Sequence, residues 1–390
     1  MKYNFDEIVN RWNTDSVKYD GPKMERGYTN YIPMWVADMD FKTPQPIVDD
    51  IRKRLDDGVL GYTFIPQSWS DTIINWTAHR YNWKVDAEQI IYTPGVVRGI
   101  SFVVNCFTKP ADRVMVMSPV YPPFFNVTQA NAREVVYHRL LNVEGRYEID
   151  FEQFEKDVQG CKLFILCNPH NPGGRVWSVE ELQKIARICH QYKVTVISDE
   201  IHADLTLPSH SHPTFATMCD EAADISVVFM APSKAFNMPG VASSYGIIVN
   251  PTLREKYRNY VESLDVCSGN MFSYTALVAA YTRCEGWLDQ LLPYLQSNID
   301  FVYDFIAEKM PKLKMVKPEA SYLIFLDCRG LGMDDAALEQ FFYEKAGLLL
   351  NPGNSFGPGG EGHMRLNVGC PRSVVEQAMN QLLKAYQELA

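Results

Sequence analysis

The sequence predicts an α/β fold: a mostly parallel central sheet sandwiched by helices, followed by a smaller α+β domain at the C-terminal end. Three observations carry this. Short apolar, β-branched runs alternate with amphipathic helical stretches through the middle of the chain. Polar clusters rich in Gly and Pro follow these runs, at 93–99, 118–123, 168–175, 199–202 and 231–240. From about Glu285 a long amphipathic helix replaces the alternation. A strand–helix–strand order makes neighbouring strands parallel and covers both faces of their sheet.

Taken in order, Thr93-Pro94-Gly95 is a turn, and Val96 and Val97 open a helix that runs through Phe107. Val114 to Met117 is a buried strand ending at Ser118-Pro119, and Lys162 to Cys167 is another, stopped by Asn168-Pro169. Ser178 is placed as the N-cap of a helix from Val179 to Tyr192. There Leu182, Ile185, Ala186 and Cys189 recur at helical spacing. Val194 to Ser198, Ile225 to Met230 and Tyr245 to Val249 are the strands that follow. A helix from Trp287 to about Lys309 leads to a strand from Ser321 to Asp327, a Gly-rich loop at 351–362 and a last helix. The expected division is an N-terminal segment (1–45) packing on the small domain, a large domain (46–284) and a small domain (285–390).

A chain of 390 residues exceeds the roughly 250–300 residues at which single cores stop growing. With 46% hydrophobic and 22% charged residues it has the balance of a globular protein that needs no disulfide or metal to fold. The nine cysteines form no CxxC pair and no zinc-type spacing, so reduced, mostly buried thiols are expected and no metal. A net charge of −10 argues against general nucleic-acid binding. The start, Met-Lys-Tyr-Asn-Phe-Asp-Glu, is unlike a signal peptide, and no apolar run reaches the ~18 residues of a membrane span. A soluble cytoplasmic protein is expected.

Ligands on such sheets bind at the carboxyl ends of the strands, so the five polar clusters are expected to build one pocket. Within it, Lys234 in Ser233-Lys234-Ala235-Phe236-Asn237 follows the strand ending at Met230. A lysine held there has a lowered pKa and can form a Schiff base, the attachment that pyridoxal 5′-phosphate requires. The remaining needs of that cofactor have candidates. Its ring nitrogen wants a carboxylate, and Asp199 ends the strand before Lys234's, although an Asp there also caps turns. Its ring oxygen wants a donor such as Asn171, in Asn168-Pro169-His170-Asn171-Pro172-Gly173-Gly174. Its phosphate wants a helix start and hydroxyls, which Val96, Val97 and Ser233 supply. Tyr121, between prolines at a strand end, could stack on the ring. Arg365, in an otherwise apolar strand, either binds a substrate carboxylate or makes a structural ion pair.

On these residues the chain resembles the fold-type I pyridoxal phosphate enzymes of the aspartate aminotransferase superfamily, over essentially its whole length. Within them it is similar to the MalY/PatB-type cystathionine β-lyases, or C–S lyases. Six strings in order carry the likeness: 33–41 (Pro-Met-Trp-Val-Ala-Asp-Met-Asp-Phe), Gly61-Tyr62, 168–174, Ser198-Asp199-Glu200-Ile201-His202, 233–237 and Arg365-Leu366-Asn367. The resemblance implies that Lys234 carries the cofactor and moves the α-proton, that Asp199 pairs with the ring nitrogen, and that Asn171 donates to the ring oxygen. It implies that Tyr121 stacks on the ring and can help protonate the leaving sulfur, as Lys234 also can. Arg365 would bind the substrate α-carboxylate, and Asp38 and Tyr62 would lie beside the substrate.

Tyr62 would also reach the phosphate of a neighbouring subunit's cofactor, making a homodimer the catalytic unit; the plainer reading is a buried tyrosine after a Gly turn. Two departures from the aminotransferase pattern point to the lyase branch. Ala242 stands where many aminotransferases keep a phosphate-gripping arginine, which also implies looser cofactor binding. His202 stands where they keep a tyrosine; it either hydrogen-bonds near the ring or is simply a satisfied histidine. The implied reaction is α,β-elimination of L-cystathionine, or of cystine or cysteine, to a thiol, pyruvate and ammonia. From cystathionine the thiol is homocysteine, a step of methionine biosynthesis. An aminotransferase on the same scaffold is the alternative, and a lyase with an added regulator-binding role is the second.

Overall fold

The computed structural model describes residues 2–389. Its main sheet has seven strands: β1 (Ile90–Thr93), β2 (Arg113–Ser118), β3 (Glu134–Arg139), β4 (Cys161–Cys167), β5 (Thr195–Asp199), β6 (Ser226–Met230) and β7 (Ser244–Ile247). They lie in the order β1-β7-β6-β5-β4-β2-β3. Every neighbouring pair is parallel except those of β7, which runs antiparallel to both β1 and β6. The strand expected at Tyr245–Val249 is therefore present, but it is the one that runs backwards.

Both faces of this sheet are covered, which is why its strands read as continuous apolar runs. In β4, Leu163, Ile165 and Cys167 join one buried cluster, while Phe164 and Leu166 join another on the opposite face. Seven helices matter below: α1 (Gln45–Asp56), α2 (Gln67–Tyr81), α3 (Val96–Phe107), α4 (Val179–Gln191), α5 (Met271–Arg283), α6 (Glu285–Lys309) and α7 (Arg372–Gln387). α3 packs so closely on β6 that a Cβ on Gly99 would stand 2.6 Å from the Phe229 ring. α4 starts as expected: the Ser178 hydroxyl accepts from the Glu181 N–H at 3.2 Å, and the Glu181 carboxylate accepts from the Ser178 N–H at 2.9 Å.

A three-stranded antiparallel sheet follows α6, in the order β8 (Leu323–Asp327), β10 (His363–Asn367), β9 (Asn351–Pro352). It shares one apolar cluster with α2, α5, α6 and α7, through residues such as Trp76, Leu277, Leu291, Leu366 and Leu382. The N-terminal stretch is tied to both sheets. Ile32–Pro33 pairs in parallel with Leu348–Leu349, and Asn367 Nδ2 donates to the carbonyls of Val36 (2.6 Å) and Asp38 (2.7 Å). From the other side, Asn237 Nδ2 donates to the carbonyls of Met39 (2.9 Å) and Phe41 (2.6 Å). All nine cysteines are free, six of them buried. Among the described residues no helix is long and apolar enough to cross a membrane.

Candidate active site

The carboxyl ends of β1, β4, β5 and β6 face one cavity of about 280 Å³. Because β7 is reversed, it contributes its start: Ala242 and Ser243 just before it and Ser244, its first residue, line the same cavity. Ser244 pairs in register with Thr93, so both flank the turn into α3.

Lys234 lies on the loop after β6 and opens into this space. Its Nζ donates to the Ala37 carbonyl at 2.6 Å. Burial pulls the ammonium down to about 8; Asp38 and Asp199 favour the charge, and Arg365 opposes it. Asp199, the last residue of β5, is buried, and burial pushes its carboxyl up to about 7. One oxygen accepts from the Ile201 N–H at 3.0 Å, so the capping reading holds in part. No cation pairs with it among the described residues.

Arg365, central in β10, is 4% exposed. Its guanidinium donates to Asn171 Oδ1 (3.1 Å), the Trp35 carbonyl (2.7 Å) and Asn351 Oδ1 (2.7 Å), while its Nε has no partner. These oxygens are all neutral, and among the described residues no carboxylate lies within ion-pair distance. The structural ion pair that the sequence left open is therefore absent. Burial accordingly lowers Arg365 to about 10. An uncompensated buried guanidinium is a site waiting for an anion.

Tyr121 and His202 complete the walls. Burial raises the Tyr121 phenol, which therefore stays protonated near neutrality. Burial, with the charges of Lys234 and Arg365, lowers His202 to about 3, so the cavity holds a neutral imidazole; its Nδ1 has no partner. At the far end, α3 begins at Val96 with Gly95 as N-cap at φ 127°, a conformation that suits glycine. Val96, Val97 and Ser233 line this end. Ser233 is 8% exposed, and its hydroxyl makes no intramolecular hydrogen bond among the described residues.

Three expected site residues do not line the cavity; Arg365 stands behind it, bonded to the lining Asn171. Asp38 was placed beside the substrate, but its carboxylate is taken up by Arg11, at 3.1 and 2.6 Å, with Lys18 at 3.7 Å. Its neighbour Ala37 reaches the cavity instead, through its carbonyl. Tyr62 is fully exposed and outside its own chain's cavity, which removes the buried-tyrosine reading.

The sequence reading also missed contributors. Ser243 precedes and Ser244 begins a strand whose reversed direction no local pattern announces. Tyr322 donates its hydroxyl to the Ala37 carbonyl at 3.0 Å, and Arg98 lines the cavity from the first turn of α3.

The expected pyridoxal phosphate fits these groups. A buried carboxyl without a cation suits a protonated ring nitrogen. The amine that would hold the cofactor stands within the same cavity, and an open helix start with an unpartnered hydroxyl in the cavity wall suits a phosphate.

The known proteins agree. The family model for class I and II aminotransferases matches residues 32–382. The chain is 43% identical to the cystathionine β-lyase PatB of Bacillus subtilis, over 98% of this chain and 99% of PatB. It superposes on cystalysin of Treponema denticola, which contains a pyridoxal 5′-phosphate cofactor, with TM-score 0.97, 36% identity and full coverage of both chains. It is equally close to a pyridoxal-phosphate-bound protein of Clostridium difficile 630 named as a candidate aminotransferase (TM-score 0.96, 43% identity, covering 99% of this chain and 100% of that one). The chain thus belongs to the class I and II aminotransferase family, in its MalY/PatB-type branch.

Proposed function

We propose that this chain is a pyridoxal-phosphate-dependent C–S β-lyase, cleaving L-cystathionine and related sulfur amino acids to a thiol, pyruvate and ammonia. The observation that carries it is one cavity joining a lysine amine of lowered pKa, a cation-free buried carboxyl and, at its edge, an uncompensated buried guanidinium. The likeness to PatB favours elimination over amino transfer.

When bound, pyridoxal phosphate supplies an electron sink for the negative charge left at the substrate's Cα. The residues do the rest. Lys234 Nζ holds the cofactor and, once displaced by the substrate's amine, takes the α-proton. Asp199 keeps the ring nitrogen protonated. Asn171, its Oδ1 fixed by Arg365, has its Nδ2 free to donate to the ring oxygen. Arg365 takes the α-carboxylate, and that charge-assisted pair orients the Cα–H bond. The protonated Tyr121 hydroxyl can donate to the departing sulfur; a thiolate leaves readily, so this help is modest. Val96, Val97 and Ser233 hold the phosphate, and neutral His202 lines the ring's surroundings.

A base must be unprotonated to act. With the Lys234 amine near 8, kcat is expected to fall as pH drops below that value and to level off above it. A kcat that stays flat between about pH 6 and 9 would contradict Lys234 as the base.

The catalytic unit in this reading is a homodimer. Supporting it, Leu55, Val59, Leu60, Tyr62 and Phe64 stand exposed together around one loop, an apolar patch that a second copy would cover. Tyr62 would then reach the neighbouring subunit's phosphate and substrate. Sedimentation should find a dimer at micromolar concentration; a stable monomer that turns over at full rate would sink this part. The division into a cofactor domain (46–284), a small domain (285–390) and an N-terminal segment (1–45) packing on the small domain belongs to the same reading. It is supported by the two separate sheets. So does a cytoplasmic location.

The function is tested by steady-state thiol release from cystathionine, cystine and cysteine with no keto acid present. Turnover of none of them, with amino transfer to a keto acid instead, would favour the aminotransferase, the reading supported by the name of the Clostridium difficile relative.

A further inference from the structure

The phosphate end of the cavity poses a charge problem. Within this chain its donors are the backbone N–H groups at the start of α3 and the hydroxyl of Ser233, all neutral, and Tyr62 from a second subunit would add only another neutral hydroxyl. Ser243 and Ser244 are occupied by the carbonyls of Ser273 (2.9 Å) and Thr93 (2.7 Å). Lys234 uses its nitrogen to hold the cofactor. Position 242 is alanine, and its carbonyl takes the Tyr92 hydroxyl at 3.2 Å. A phosphate dianion held by neutral groups alone would bind weakly and exchange with solvent ions.

We propose that Arg98 is the counter-ion of the cofactor's phosphate in this chain. Apart from Lys234, it is the only lysine or arginine lining the cavity among the described residues. It sits in the first turn of α3, whose side chains lean toward the helix start. Arg98 follows that direction: its Nη1 donates to the Pro94 carbonyl at 2.7 Å, which folds the guanidinium back over the turn into the helix. No carboxylate pairs with it among the described residues, so its charge is uncommitted.

Its position also answers the gap at 242. Thr93 pairs with Ser244 across β1 and β7, and Gly95 and Ala242 each lie two residues beyond that pair, at the same end of the two strands. The guanidinium, bonded to Pro94, comes from the helix side to the rim that Ala242 leaves uncharged. Ser233, a buried residue that lines the same cavity and whose hydroxyl makes no hydrogen bond among the described residues, offers a second donor independently of the helix start.

This assignment rests on pyridoxal phosphate being the cofactor, and it reverses the expectation of loose binding drawn from Ala242. The test is the rate at which the holoenzyme releases its cofactor on dilution into a scavenger, followed by visible absorbance, together with the ³¹P resonance of the bound phosphate. Arg98→Gln should release cofactor about tenfold faster, the scale of one charge-assisted contact at a partly exposed site, and should shift the ³¹P resonance. Arg98→Lys, which keeps the charge, should recover much of the slow release. Release and resonance unchanged in a folded Arg98→Gln protein would overturn the assignment alone. A wild-type protein that retains no cofactor would overturn it together with the cofactor reading.

Discussion

Replacing Lys234 by alanine is expected to abolish turnover and the visible absorbance of the bound cofactor together. In the proposed reading both depend on one nitrogen, which would hold the cofactor and later remove the α-proton. Loss of a positioned base alone costs about 10²–10⁴-fold, and loss of the covalent anchor adds to it. The fold should survive. The side chain makes a single hydrogen bond, to the Ala37 carbonyl, and Tyr322 still donates to that oxygen. Thermal melting and far-UV circular dichroism close to wild type, beside absent absorbance, are the expected pair of results. A Lys234→Ala protein that keeps both the absorbance and the turnover would refute the assignment.

The second large effect is expected at Arg365. Its guanidinium is buried without an anionic partner and bonded only to neutral oxygens, so a substrate carboxylate would be the first charge to satisfy it. Truncating one partner of a buried charge pair costs about 2–5 kcal/mol. Arg365→Gln should therefore raise KM by roughly 30-fold to several thousand-fold, with a smaller loss in kcat. Arg365→Lys should fall between, because it keeps the charge and loses the planar fork. Some stability will also go, since Asn171, Asn351 and the Trp35 carbonyl lose a donor. Amines without a carboxylate separate the two effects: their binding should be unchanged in a variant that has lost carboxylate recognition only. An unchanged KM for the amino-acid substrate would remove Arg365 from the substrate site.

Much of the site was legible because the relevant residues sit at strand ends. Strand limits follow from runs of apolar residues such as Cys161–Cys167 and Ser226–Met230, and a parallel sheet sends its carboxyl ends to one edge. Asp199, Asn171 and Lys234 could be brought together on that basis alone. The direction of β7 could not, because pairing rather than local pattern sets it, and Ser243 and Ser244 were hidden with it.

Asp38 misled for a related reason. Its string marks the segment correctly, but the carboxylate is claimed by Arg11, 27 residues earlier, and the group that reaches the cavity is Ala37's carbonyl, to which side-chain identity gives no guide. No sequence motif singles out Arg98, which is exposed on α3. Only the backward lean of a first-turn side chain brings it to the cavity. Tyr62 is fully exposed in one chain, and the role proposed for it would need a second subunit.

The central claim is that, once the α-proton is gone, this site expels sulfur instead of reprotonating to give an amine-bearing cofactor. The most direct measurement is product accounting with L-cystathionine as the only added substrate. The account predicts pyruvate, ammonia and homocysteine in equal amounts, over many turnovers per site, with no keto acid present. Reaction that stops after one equivalent per site, leaves the cofactor in its amine form and resumes only when a keto acid is added would contradict it.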